Sequence, residues 1–489
     1  MSRLPELGVG LIYSPGLEPL LQAHPELVDV LEFEPQTTWI ETGSDAEPYC
    51  VRDDVLAHLA ALPGRKLVHS IGTPVGGSVR ANAAQLPLLR ETVQAVGSPW
   101  ASEHLSFNLT PDFFTGFFLP PRQTEAGIEI YVETIRTLRD ALGVPIAIET
   151  GVNYLGPRAD ELGDGEFMAA VAERADCGIL LDLHNIYCNA LNGRQSVERF
   201  LSVLPLHRVW ELHLAGGFEV EGYWVDAHSG AIPPPLHDIC RDVLPVLPQL
   251  KAIIFELFSS HLPQFGLEAT RTQLERVHDL WSLRQPRAEA AHRVQAPASV
   301  TPAKTAIAPK DWERALGRVV IGQQPSSELE REFARDPGTR LVASMIEEFR
   351  GSMVVGVYRL TSRLLMLALG PDIFRALLEE FWKAAPPRQF AGSEADAFAD
   401  WLLARGLHLP QFEAVLAFER ATVQTLRDGR PRVVSFSFAP LPLLRALADA
   451  VLPDNPGEPG EYEIEVRQDG PIRVGHAHAP AVSQTFPFH

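Results

Sequence analysis

The stretch LLDLHNIYCNALN, residues 180–192, decides how the chain is read. It begins as an apolar strand and then presents Asp182, His184, Asn185, Tyr187 and Cys188 in quick succession. Burying polar and ionisable groups costs free energy unless each finds a partner. One such strand end is a packing accident. A series of them, on strands that converge, is a site.

The stretch overlaps GILLDLH (178–184), the sixth of eight apolar runs. The others are GVGLIY (8–13), DVLEFE (29–34), KLVHSI (66–71), WASEHLSF (100–107), PIAIET (145–150), VWELHL (209–214) and AIIFELF (252–258). Helical patterns such as DDVLAHLAAL (53–62) and IEIYVETIRTLRDAL (128–142) lie between them. Strands alternating with helices at this length predict an α/β fold, a (β/α)8 TIM barrel in preference to an open sheet.

The strand ends carry a matching series of polar residues. They are Glu32 and Glu34, His69, His104, Glu149, Asp182 and His184, His213, and Glu256, and the loop DAHSG adds Asp226 and His228. In such a barrel the C-terminal strand ends meet at one mouth. Alternation in a strand is expected to place Asp182 and His184 on one face. Carboxylates gathered this closely cannot all ionise without counter-charge, and bound cations supply it. Mixed His and carboxylate ligation suits iron, zinc or manganese, and the lack of clustered cysteines argues against an iron–sulfur centre. Glu32, Glu34 and Glu211 are also read as groups that orient metal-bound imidazoles. His184 is read as either a ligand or a substrate contact.

The chain has 489 residues, 46% of them hydrophobic and 21% charged, and a formal net charge of −20. That excess disfavours nucleic acid and anionic membrane as partners. Four cysteines without a C-x-x-C pair make no disulfide scaffold and suit a reducing compartment. The start, MSRLPELGVGLIYSP, lacks the pattern of a signal peptide, so a cytoplasmic location is expected. MVVGVYRLTSRLLMLAL (353–369) contains Arg359 and Arg363 and reads as a buried helix, not a membrane span.

Residues 285–310 form an Ala/Pro-rich linker by composition. It separates a barrel domain, 1–284, from a smaller α+β domain, 311–489. The latter opens with helical text to about residue 427. It closes with a strand (431–438), a helix (441–452) and a hairpin (461–477) turning at Asp469-Gly470. An extended peptide could add a strand at an edge of this sheet; the sequence leaves open which strand is the free edge, and Ile464 and Val474 are the first targets for a test.

The ordered pieces LEFEP, VHSIG, SEHLSF, ETGVNYL, LLDLHNIY, ELHLAGG, DAHSG and FEL resemble the multinuclear non-haem iron-dependent oxidases, the DUF692 or UPF0276 family. The resemblance covers residues 5–283. It implies two or three iron ions (Fe2+/Fe3+) in a TIM barrel, with dioxygen as co-substrate, remodelling a ribosomally made precursor peptide at cysteine or at a C-terminal aspartate. By matching motif it implies His69, His104, Glu149, Asp182, His213, Asp226, His228 and Glu256 as ligands, with Asn153 and Asn185 near the metals. Thr150 and His184 depart from the family pattern, where Asn is usual. The stretches 371–390, 398–406 and 409–423 resemble the helical half of DUF2063-type partner proteins, so the second domain would replace a separate partner that recruits the peptide. The ligand order is also similar, more distantly, to the sugar-isomerase and apurinic-endonuclease barrels. A zinc- or manganese-dependent hydrolase or isomerase is therefore the alternative reading.

Overall fold

The computed structural model describes residues 4–42, 47–80, 83–284, 307–468, 473–476 and 482–483. Eight parallel strands close into a barrel in chain order. They are β1 (Gly8–Ile12), β2 (Val30–Phe33), β3 (Arg65–Ser70), β4 (Ala101–His104), β5 (Ile146–Glu149), β6 (Gly178–Asp182), β7 (Val209–Ala215) and β8 (Ala252–Glu256). The ends of each lie within three residues of those of an expected run, and the TIM-barrel expectation is met.

Alternation along the strands sorts the side chains. Val30, Leu67, Ala147, Leu180 and Ile254 pack together inside the barrel. Leu31, Val68, Ile148, Leu181 and Ile253 pack in the layer shared with the outer helices. The next inward positions toward the C-terminal end are Glu32, His69, Glu149, Asp182 and Glu256. The register sets them level: His104 stands opposite Glu149, and Asp182 opposite His213. Three two-stranded ribbons follow β2, β4 and β7, namely Trp39–Glu41 with Tyr49–Val51, Phe107–Leu109 with Phe114–Leu119, and Phe218–Val220 with Tyr223–Val225. They raise the walls of the mouth.

The C-terminal region has seven helices, from Pro309–Val320 to Phe412–Asp428, and then a four-stranded sheet with the helix Pro440–Ala448. It is seated on the loops at the C-terminal face of the barrel. The Trp312 indole donates to the Pro120 carbonyl at 3.2 Å and packs against the Arg122 and Arg158 guanidiniums, 4.8 and 5.2 Å from its centre. The Ser78 N–H donates to Glu313 at 2.8 Å, and the Gly156 N–H to Asp336 at 3.1 Å.

Two expectations need correction. β6 ends at Asp182, and His184 stands in the helix Leu183–Leu191. The Asp182 carboxylate accepts the Asn185 N–H at 2.8 Å, which caps that helix and stops the strand. Asp182 and His184 therefore do not share a strand face. Second, residues 353–369 are not one helix. Pro337–Val357 and Arg359–Leu369 are separate and bent by 107°, because Glu419 accepts the N–H groups of Leu360 and Thr361, both at 2.8 Å, and so starts a new helix. No single helix among the described residues is long and apolar enough to cross a membrane. The sheet also answers which strands form its edges: Ile464 and Val474 lie on the two inner strands, Pro459–Val466 and Arg473–His476. The outer strands are Arg432–Phe438 and Val482–Ser483. The Asp469-Gly470 turn and residues 285–306 lie outside the described residues.

The bend is testable. Glu419→Ala leaves two buried N–H groups without an acceptor, a loss of about 1–3 kcal/mol for each. The expected result is a lower urea midpoint, with Glu419→Gln recovering part of it. An unchanged midpoint in the alanine variant would show that the bend does not depend on this carboxylate.

Candidate metal centre

The mouth gathers every strand-end residue singled out above. His69 is buried, with Nδ1 2.9 Å from the Ser102 hydroxyl and Nε2 3.4 Å from Glu149. His104 has Nδ1 3.4 Å from Glu103 and Nε2 3.3 Å from the same Glu149 oxygen. His213 is fully buried, with Nε2 3.0 Å from Glu32 and 3.6 Å from Glu211, and Nδ1 3.1 Å from Glu256. His228 Nε2 is 3.0 Å from Asp226 and 3.1 Å from Glu256. Three imidazoles thus follow one plan. One nitrogen faces an oxygen of the barrel wall, and the other faces a carboxylate shared with a neighbour. Such outer oxygens orient a metal-binding imidazole and raise its basicity.

Many of these close approaches are not hydrogen bonds. Both nitrogens of His213 and of His228, and one oxygen each of Glu149, Asp182, Glu211 and Glu256, are buried without a hydrogen-bond partner, as are both oxygens of Glu32. Orphaned buried polar atoms are rare in folded proteins. Here they point at one another, which is what a donor set for cations requires. Among the described residues, five groupings have ligand atoms within 4.8 Å of one another, including His69/His104/Glu149, Glu149/Asp182/His213, Asp182/His228/Glu256 and His184/Asp226/His228. Each shares a residue with the next, so the donors form a continuous run.

The electrostatics describe a cluster that holds itself together with protons. Burial pushes the Glu149 carboxyl up to about 8 despite the pull of His104. It pushes Asp182 up to about 6, reinforced by the charges of Glu256 and Asp226. Burial also raises Glu32 well above the carboxylate range, with Glu211 adding to it. Burial opposes charge on His104, but Glu149 and Glu103 outweigh it and lift the ring to about 9. The same contest lifts His213 and His228, through Glu256 with Glu32 and through Asp226 with Glu256. Burial and the neighbouring imidazoles depress His69. Glu256 and Asp226 stay ionised because the adjacent histidines outweigh burial.

The remaining expected residues occupy supporting places. Asn185 donates to Glu149 at 3.0 Å and to the Thr150 carbonyl at 3.2 Å. Asn153 lines the mouth, but its side-chain oxygen accepts the Leu155 N–H at 3.1 Å, so it shapes its own loop. Glu211 accepts the Trp100 indole N–H at 3.0 Å. Glu34 is half-buried on the rim, where burial and Glu256 raise it to about 7. Sequence reading missed Ser102, Glu103, Phe118 and Trp224. Ser102 is found only through register, since it pairs with His69 across β3 and β4. Phe118 stacks on His104 at 4.2 Å between ring centres and comes from a ribbon that no strand-end rule reaches.

The cluster opens into a cavity of about 1410 Å³. Its walls include Phe117, Phe118, Val220 and Phe258 from the barrel loops, and Met345, Phe349, Met353, Val357, Val423 and Leu426 from the C-terminal region.

A family profile described as "RiPP precursor modification enzyme MbnB/TglH/ChrH" matches residues 18–279. The chain belongs to this family. A UPF0276 protein of Chromobacterium violaceum is 30% identical over 252 residues, spanning 51% of this chain and 91% of the relative. One of Streptomyces avermitilis is 30% identical over 228 residues, spanning 45% of this chain and 46% of the relative. A solved xylose isomerase domain protein from Planctomyces limnophilus aligns with 57% of this chain and 97% of its own, at 13% identity and a TM-score of 0.38. The family match ends where the barrel ends. Within it, all the carboxylate and imidazole donors described above are present.

Cation uptake by this cluster must displace protons. Asp182 gives up its proton near pH 6, while Glu149 and His104 keep theirs to about 8 and about 9, so apparent affinity should climb from about pH 6 to about pH 9. Calorimetry of zinc binding in two buffers of different ionisation enthalpy should show proton release. Equal heats in both buffers would contradict the proton-sharing account.

Proposed function

We propose that the chain is a multinuclear iron-dependent oxidase that modifies a ribosomally made precursor peptide, with the C-terminal region holding the peptide over the mouth. The observation that carries this reading is the continuous run of buried donors opening into a cavity with two walls, one from the barrel and one from the C-terminal region. Division into a catalytic unit, 1–284, a linker, 285–310, and a recruiting unit, 311–489, belongs to the same proposal, as does the likeness of the last to DUF2063 proteins.

His69, His104 and Glu149 would hold one cation. Asp182 and His213, with Glu149 and Glu256 shared, would hold a second, and Asp226, His228 and Glu256 a third. Iron bound there supplies redox chemistry toward dioxygen and a positive charge that favours a thiolate or carboxylate of the substrate. The chain's own residues do the rest. Glu34 stands on the rim outside the donor groupings and near its neutral point, placed to take the proton a substrate thiol gives up. Phe118 packs against His104 and keeps water from that side of the ring. The apolar cavity walls accept an extended peptide while burying its neighbouring side chains. A recruiter on the same chain keeps the peptide at high effective concentration near the mouth.

Protein purified without oxygen and loaded with iron(II) should hold two or three irons per chain, and Asp182→Ala or His213→Ala should hold fewer. With a precursor peptide rich in cysteine, wild-type protein should consume dioxygen and change the peptide's mass. Full activity with zinc or manganese and no oxygen uptake would instead favour the hydrolase or isomerase alternative.

The cavity makes a separate prediction. Met353→Trp or Leu426→Trp fills it from the C-terminal side, away from the donors. KM for the peptide should rise about tenfold or more, as expected when roughly 1.4 kcal/mol of binding is lost, with iron content unchanged. An unaltered KM in both variants would remove the cavity as the peptide's path.

A further inference from the structure

His184 stands at the mouth with His69, His104, His213 and His228, and by distance alone it belongs to a metal-capable grouping with Asp226 and His228. Its hydrogen bonds say otherwise. The Trp224 indole Nε1 lies 3.1 Å from His184 Nε2. An indole N–H can only donate, so Nε2 spends its lone pair as acceptor. The ring proton is then on Nδ1, which lies 2.8 Å from Asp226 Oδ1 and donates to it. Both ring nitrogens are committed, and neither is open to a cation.

We infer that His184 is a positioning residue for Asp226, locked in that role by the Trp224 indole, and not a metal ligand. The inference rests on the reading of the mouth as a metal site. Asp226 Oδ1 is also the oxygen 3.0 Å from His228 Nε2, so donation from His184 fixes the carboxylate against its neighbour in the donor run. The backbone N–H of Asp226 is held too, 3.1 Å from the Tyr154 hydroxyl.

The lock is built, not incidental. His184 is fully buried. Asn192 grips the backbone of Trp224 from both sides, donating to its carbonyl at 2.9 Å and accepting its N–H at 2.8 Å. Gly217 leaves the space they meet in: a Cβ there would come within 2.8 Å of both His184 Nε2 and Trp224 Nε1. Cys188, one turn along the same helix, puts its sulfur 3.7 and 3.8 Å from the two ring nitrogens and closes the pocket around the ring. Outer partners of this kind change metal affinity by about 10–100-fold when removed.

The test uses the full chain loaded with cobalt(II) without oxygen. Each imidazole bound to cobalt contributes one exchangeable, strongly shifted N–H resonance in proton NMR. His184→Gln should keep the wild-type set of these resonances and the wild-type cobalt count, while the weakest-bound cobalt loses about tenfold in affinity. Trp224→Phe keeps the ring and frees Nε2, and should lower the same affinity. Loss of one shifted resonance together with one cobalt in His184→Gln would make His184 a ligand and overturn the inference. Unchanged affinity in both variants would overturn the positioning role. Wild-type protein that takes up no cobalt overturns the metal reading of the mouth, and this inference with it.

Discussion

Buried negative charge is the constraint on which the rest of the structure depends. Glu32, Glu103, Glu149, Asp182, Glu211 and Glu256 are all buried at one end of the barrel, with Asp226 half-buried beside them. Among the described residues, the ion pairs these carboxylates form are with histidines, not with lysine or arginine. A buried ion left uncompensated costs several kcal/mol. Histidines that can each carry one proton offset part of that, and a cation between them would offset far more. The end of the barrel is therefore a poor core and a good binding site, and the apolar row beneath it, from Leu67 to Ile254, carries the packing.

The second unit changes the medium in which that charge operates. Trp312, packed against Arg122 and Arg158, and Glu313, hydrogen-bonded at Ser78, anchor the C-terminal region to loops that surround the mouth. The bent helices Pro337–Val357 and Arg359–Leu369 then contribute Met353, Val357 and Leu360 to the cavity wall. Covering a charged site with apolar surface lowers its local dielectric and strengthens each interaction inside. The bend matters here, because a straight helix through Tyr358 would carry its second half away from Glu419 and out of this wall.

Much of the site is legible in the sequence. The eight strands, their order and the inward parity of His69, Glu149, Asp182 and Glu256 all follow from alternation, which is a local property of extended chain. Parity failed at His184 because Asp182 turns its carboxylate onto the Asn185 N–H and begins a helix there. That choice between continuing a strand and capping a helix is not visible in residue spacing. The helix break at Tyr358 was hidden for a related reason. Its cause is Glu419, which lies 58 residues from Thr361 in sequence.

The sequence by itself determined which chemistry the mouth could hold. Donor type and strand position are written residue by residue, and a parallel barrel carries every strand end to the same face. Tertiary structure decided what each donor does. Glu103 and His184 both bear groups able to bind a cation, yet Glu103 turns to the Thr73 N–H and hydroxyl, and His184 is held by Trp224 from a ribbon 40 residues away. The reason is that a hydrogen bond depends on distance and angle between particular atoms, and those are set only when distant segments pack together.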